Sequence, residues 1–146
     1  MESLISEGDL RVKMISRNVV RGMAVGGALL VGLGSTAAYA GGSTNTKLDN
    51  GVLYFEAHNG REIGQSASKV YTGEKYTKTG GSTVTAQLRV SFERGLYKDT
   101  LKTVKKGQSI RYSVTVPVSV ASDCSAVGVM VAGGKSYETP YIDHLC

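Results

Sequence analysis

The sequence contains no tryptophan and only two each of proline, phenylalanine, histidine and cysteine. Two cysteines and two histidines without paired spacing do not supply a zinc-ligand set, so we expect no metal site and no cofactor. The missing tryptophan excludes the Cys–Trp–Cys pattern of antibody domains. The glycine pairs lack the spacing of a phosphate-binding loop, and no serine lies in a nucleophile turn. No single motif therefore indicates catalysis.

A short apolar run, from Met23 to Gly34, lies near the amino terminus. It follows the basic residues Arg17 and Arg21 and precedes a stretch of small residues that ends at Ala40. This order predicts a secretory signal peptide over residues 14–40, cleaved after Ala40, and a secreted mature protein. The run is shorter than the roughly 20 residues of a transmembrane helix. A retained anchor and a buried Gly/Ala helix are the alternatives.

The remaining chain divides into three further parts. Residues 1–13 carry acidic side chains where a leader is normally basic, so we interpret them as an over-extended start, with translation beginning at Met14. Residues 41–50 are small and polar, which predicts a flexible lead-in. Residues 51–146 are enough for one hydrophobic core and too few for two, so we expect a single β domain.

The two cysteines, Cys124 and Cys146, both lie in the part expected to be exported. In an oxidising compartment, two cysteines of one small domain most simply pair with each other. The sequence thus predicts a disulfide that fixes the end of the chain. A disulfide between two copies through Cys146 is the alternative.

Apolar and polar residues alternate in several segments, which is the pattern of strands with one dry and one wet face. Pro117 cannot donate to a β-ladder, so its strand is expected at a sheet edge or at a bend. These features predict an all-β fold: a small antiparallel β-sandwich, immunoglobulin-like or related, or a small barrel. The predicted strands cover residues 52–58, a short stretch at Val70, 84–93, 96–104, 110–120 and 127–131.

One arrangement of residues could support catalysis. Glu56 and His58 are two residues apart in the first predicted strand, so their side chains are expected on the same face, about 7 Å apart. Such a pair can carry out acid and base chemistry on a phosphodiester or glycoside when arginines stabilise charge. Arg89 and Arg111 lie on the wet faces of their strands. The pattern leaves a small secreted hydrolase, ribonuclease- or glycosidase-like, as an alternative function.

Tyrosine and lysine supply the candidate binding residues. The chain has eight tyrosines, and a tyrosine ring with its polar tip suits recognition surfaces. From Gly41 onward 13 Lys and Arg exceed 9 Asp and Glu, which leaves a charge of +4 and favours anionic partners. The residues predicted to lie in or near loops and to bind are Tyr71, Tyr76, Tyr97, Lys102, Lys105, Lys106, Tyr137 and Tyr141.

Together these observations predict a secreted, non-enzymatic binding protein, such as an inhibitor, an adhesive module or an antibacterial or toxic protein. Its partner is expected to be an extracellular protein, a cell-wall polymer or an anionic membrane surface, and not a nucleic acid. A structural surface component is a further alternative.

Overall fold

A computed structural model describes residues 41–146 of the chain. The predicted over-extended start (1–13) and the predicted signal peptide (14–40) lie outside the described residues. Within the described part, all regular structure is β-strand apart from two short 3-10 helices, Gly60–Ile63 and Val118–Val120. No helix in this part is long and apolar enough to cross a membrane.

Nine strands build the domain. In chain order they are β1 (Gly41–Leu48), β2 (Gly51–Asn59), β3 (Lys69–Lys78), β4 (Val84–Phe92), β5 (Gly95–Lys98), β6 (Lys102–Val104), β7 (Ser109–Pro117), β8 (Ala126–Ala132) and β9 (Lys135–Glu138).

The strands form two antiparallel sheets. The first sheet has the order β1-β2-β3-β7, and the second has the order β5-β4-β8-β9, with β6 also paired to β4. Phe55 of the first sheet and Val90 of the second belong to one buried cluster, so the sheets face each other across a shared core. No strand pairing among residues 41–146 joins the two sheets into a closed cylinder. The expected alternative of a small barrel is therefore wrong.

Strand periodicity explains the clearest elements. Buried and less buried residues alternate along β4, and its observed range differs from the predicted one by a single residue. β7 lies at the edge of the first sheet, as Pro117 requires, since proline has no N–H to donate. The strand predicted to reach residue 120 instead ends at Pro117 and continues as the short helix Val118–Val120.

Three segments differ from the sequence-based expectation. Residues 41–50 do not form a loose lead-in, because 41–48 form β1, which pairs with β2 from Gly41↔His58 to Leu48↔Gly51. An edge strand needs little hydrophobicity when its outer face meets solvent, so its small polar residues gave no signal. The stretch at Val70 is a ten-residue strand, and the segment 96–104 divides into β5 and β6.

The core has two buried clusters. One contains Phe55, Val116 and Leu145, and the other contains Leu53, Leu88 and Met130. We call the end of the domain nearer the first cluster the disulfide end. There Cys124 and Cys146 form the intramolecular disulfide that the sequence predicts, with Cα atoms 5.1 Å apart. Both cysteines of the chain are thus used within one molecule.

Candidate functional sites on one face and at one end

A groove of about 470 Å³ crosses the outer face of the first sheet. Gly73 of β3 leaves it open, since a side chain there would collide with the carboxylate of Glu56. Neighbouring strands contribute Tyr54, Lys75 and Arg111, which lie side by side in the register of β2, β3 and β7. The outer groove therefore combines the Glu56 carboxylate with an aromatic ring and two cations, and Glu74 lines it as well.

The predicted catalytic pair shares this face, but its two members have different partners. The Tyr54 hydroxyl donates a hydrogen bond to Glu56 Oε2 at 3.2 Å. His58 Nδ1 lies 3.4 Å from Glu62 Oε2, on the 3-10 helix that follows β2. Of these residues only Tyr54 and Glu56 line the outer groove. Glu56 and His58 therefore interact with different partners and not with each other.

The two predicted arginines lie on opposite sides of the domain. Arg111 lines the outer groove beside Lys75, its cross-strand neighbour. Arg89 lies on the outer face of β4 in the second sheet, where its Nε donates a hydrogen bond to Gln87 Oε1 at 2.9 Å. Only Arg111 is therefore placed to act with Glu56.

The second site lies at the opposite end of the domain from the disulfide. A cavity of about 450 Å³ opens there between the ends of the sheets, and Lys47, Lys78 and Lys135 all line it. The turn before β7 reaches the same end, because Lys78 N donates to Gln108 O and Gly107 N donates to Lys78 O. We call this region the lysine end and define it by Lys47, Lys78, Lys105, Lys106 and Lys135.

The lysine end has little compensating charge. Among residues 41–146, Asp49 is the only acidic residue that lines its cavity. Lys105 and Lys106 are exposed in the turn that Gln108 closes, since Gln108 Oε1 accepts a hydrogen bond from Lys105 N at 3.0 Å. No large exposed hydrophobic residue of the described chain lies among its lining residues. The surface is cationic and polar around a small opening.

The structure brings four of the eight predicted binding residues to this end: Lys105, Lys106, Tyr76 and Tyr137. Tyr76 does not lie in a loop, because it occupies the inner face of β3 and is 3% exposed. Its hydroxyl donates to Asn50 O at 3.3 Å, and burial together with the neighbouring Tyr137 raises its pKa. Tyr137 is part of β9 and half-buried.

The other four predicted binding residues are dispersed. Tyr71 lies on β3 with the parity of the outer face, opposite His58. Tyr97 of β5 packs edge-on against Phe92, with ring centroids 5.8 Å apart, and is therefore held in the core margin. Lys102 of β6 pairs with Asp99 at 2.6 Å. Tyr141 is exposed in the tail.

Sequence reasoning missed Lys75, Lys78 and Glu74, all of which belong to β3. The alternation of Val70, Thr72, Glu74, Tyr76 and Lys78 in that segment was the available signal, and it places Glu74 and Lys78 on the buried face. Glu74 is 2% exposed, and within the part of the chain that the structure describes neither of its carboxyl oxygens has a hydrogen-bond partner. Burial raises its pKa to about 9, against a weaker opposing effect of nearby backbone amides.

Among residues 41–146 no group of three or more His, Cys, Asp or Glu side chains could hold a metal ion. Comparison of the chain with protein-family models, curated proteins and solved structures returned no match.

Proposed function

We propose that the mature domain is a secreted, non-enzymatic binding protein whose lysine end attaches it to an anionic cell-wall polymer. The observation that carries this proposal is the gathering of four exposed lysines at this end, Lys47, Lys105, Lys106 and Lys135, where Asp49 is the one acidic residue of the described chain that lines the cavity. Clustered charge of one sign attracts polyanions and speeds their association. A polymer suits this end better than a membrane, because no exposed large apolar side chain is available there to insert.

The strand order supports an immunoglobulin-like sandwich as the scaffold. Strands β2-β3-β7 correspond to the order A-B-E, and β5-β4-β8-β9 correspond to C′-C-F-G, with β1 as an additional edge strand. In such folds the loops gather at the two ends of the sandwich, where they can bind partners without disturbing the core. The lysine end is one of these loop clusters.

Export after cleavage at Ala40 is part of the same proposal. The disulfide between Cys124 and Cys146 supports it, since disulfides persist in oxidising compartments and are rare in the cytosol. Mass spectrometry of the protein from culture medium tests this point: a chain that begins at Gly41 is expected, and a chain that retains residue 40 would contradict it.

Binding can be measured with the oxidised domain 41–146 and three polymers: poly(glycerol phosphate), polygalacturonate and neutral dextran. We expect both polyanions to bind at low ionic strength, with an affinity that falls steeply as salt is added, and dextran not to bind. Vesicles with and without anionic lipid distinguish a membrane target from a polymer target. Preferential binding to the anionic vesicles would overturn the choice of a polymer.

A charge-matched pair of variants locates the binding surface. The triple variant Lys105→Ser, Lys106→Ser, Lys135→Ser removes three positive charges from the lysine end, and we expect at least a tenfold loss of affinity for the polyanions. The control Arg61→Ser, Lys69→Ser, Arg94→Ser removes three positive charges near the disulfide end. Equal losses in the two variants would mean that net charge alone, and not this site, determines binding.

Hydrolysis in the outer groove is a second candidate function, which one specific feature favours. Lys75 and Arg111 are directly opposite each other on adjacent strands, an arrangement that repels unless an anion lies between them. A phosphodiester held by these cations would lie beside Glu56, which lines the same groove. Turnover of RNA, peptidoglycan or chitin that Glu56→Gln abolishes and Glu93→Gln preserves would establish it, and absence of turnover on all three would remove it.

A further inference from the structure

The cavity at the lysine end has an apolar floor under its cationic rim. Leu48, Val84, Met130 and Ala132 line it together with the ring of Tyr76. Met130 and Ala132 are buried and belong to the second core cluster, so the floor is continuous with the hydrophobic core. A volume of about 450 Å³ lies within the range of roughly 300–1,000 Å³ that small-molecule sites occupy.

Lys78 lines this cavity from the inner face of β3 and is only 3% exposed. Within the described chain no carboxylate lies within 4.0 Å of its ammonium group, whereas Lys102 pairs closely with Asp99. An ammonium group without a carboxylate partner is available to pair with an anionic ligand. An incoming carboxylate would supply that partner.

The backbone of Lys78 is held firmly in place. Its N–H donates to Gln108 O at 2.9 Å, and its carbonyl accepts from Gly107 N at 2.8 Å, in addition to its pairing with Gly51. The side chain therefore starts from a fixed position between the sheets. Lys47 and Lys135 lie at the rim and raise the local concentration of anions.

We propose that this cavity binds an aliphatic carboxylate, with its carboxylate on Lys78 and its chain on the floor formed by Leu48, Val84, Met130 and Ala132. The lining favours both parts of the ligand: the carboxylate pairs with the ammonium of Lys78, and the chain removes apolar surface from water. This inference does not depend on polymer binding, since the polymer would contact the exposed lysines and the carboxylate the buried one.

Calorimetric titration of the oxidised domain with sodium decanoate, below its micelle concentration, tests the proposal. Acetate supplies the charge without the chain, and decanol supplies the chain without the charge. We expect decanoate to bind at a one-to-one ratio and each of the other two to bind at least tenfold more weakly. Decanol binding as tightly as decanoate would overturn the role of Lys78.

A matched pair of lysine variants assigns the site. Lys78→Met keeps most of the length of the side chain and removes its charge, so we expect at least a tenfold loss of decanoate affinity with decanol affinity unchanged. Lys69→Met makes the same change at the opposite end of the same strand and should leave both affinities unchanged. Unchanged decanoate binding in Lys78→Met, or an equal loss in Lys69→Met, contradicts the assignment.

A second variant keeps the test independent of how Lys78→Met folds. Ala132→Leu adds volume to the cavity floor and leaves every charge in place. We expect it to weaken decanoate and decanol alike by at least fivefold while polyanion binding persists. Polyanion binding that stays unchanged in the Lys105, Lys106 and Lys135 triple variant, with decanoate binding retained, would contradict the proposed function and leave this inference standing.

Discussion

At the disulfide end, the core is covered by the carboxy-terminal tail, the disulfide and the buried side-chain amide of Asn59. At the lysine end, the two sheets separate around an open cavity. The Asn59 side chain donates to Leu145 O at 3.0 Å, and Leu145 N donates to Cys124 O at 2.9 Å. The corresponding turn at the lysine end is closed by Gln108, which is exposed. The disulfide end is therefore held by a buried hydrogen bond, whereas the turn at the lysine end is held by an exposed one.

The two ends differ in charge as well. The loops of the disulfide end carry both signs: Arg61, Glu62, Glu93, Arg94, Asp123 and Asp143. The lysine end instead gathers five lysines, three of which line its cavity. Buried hydrogen bonds stabilise a fold, whereas charged side chains without a partner do not. We infer that the disulfide end stabilises the domain and that the lysine end is free to bind.

Removing the disulfide should have the largest effect on stability. In the double variant Cys124→Ser, Cys146→Ser we expect the free energy of unfolding to fall by about 3 kcal/mol, because a loop of this length regains its entropy in the unfolded chain. Urea unfolding followed by far-ultraviolet circular dichroism measures the change. Replacing both cysteines avoids the complication of one free thiol.

The same variant sharpens the comparison between the ends. Polyanion affinity should remain within about twofold of the unaltered domain at a temperature where both are folded. If affinity fell together with stability, the lysine end would depend on the disulfide end, and the proposed division of roles would be wrong.

The next effect concerns Glu74 on the inner face of β3. Its cross-strand neighbours are Phe55, which belongs to the first core cluster, and Tyr112, which packs against both core clusters. Burial holds its carboxyl group protonated by raising its pKa from 4.5 to about 9. The unfolded chain loses this proton near pH 4.5 while the folded domain retains it. Stability should therefore decrease as pH rises from about 4.5 to about 9 and level off above that range.

Glu74→Leu removes both the buried carboxyl group and this proton linkage. We expect a gain of about 2 kcal/mol in the free energy of unfolding at pH 7 and a flatter dependence on pH. Glu93→Leu, at an exposed carboxylate, serves as the control and should change neither quantity by more than about 0.5 kcal/mol. A loss of stability in Glu74→Leu would mean that the carboxyl group has a partner that stabilises it.

The sequence predicted the strands that carry strong alternation, and it predicted the disulfide. β4 alternates apolar inner residues with polar outer ones, so its period is visible without any tertiary information, whereas β8 is apolar on both faces and was indicated by its run of valines. β1 has no such signal, because Ser43, Asn45 and the other polar residues of an edge strand resemble a loop. Only its pairing with β2 defines it as a strand.

The candidate sites were less accessible to sequence reasoning, because they depend on which strands become neighbours. Lys105 and Lys106 are adjacent in the chain, but Lys47 and Lys135 join them only when the β1–β2 hairpin, the β8–β9 hairpin and the connection from β6 to β7 end at the same level. The outer groove likewise needs the register that sets Lys75 between Tyr54 and Arg111. Side-chain parity could have been read from the sequence, whereas strand order could not.

The smallest effects compare two amide side chains, one at each end. Asn59 is 6% exposed, donates to Ala67 O and Leu145 O, and accepts from Arg61 N. Asn59→Ala leaves these backbone groups without partners in a dry environment, so we expect a loss of about 2 kcal/mol in the free energy of unfolding. Gln108→Ala removes one exposed hydrogen bond that water can replace, so we expect a loss below about 0.5 kcal/mol. The free energies of unfolding are measured with urea. Equal losses in the two variants would show that both ends are held equally firmly, and the lysine end would then not be the more adaptable of the two surfaces.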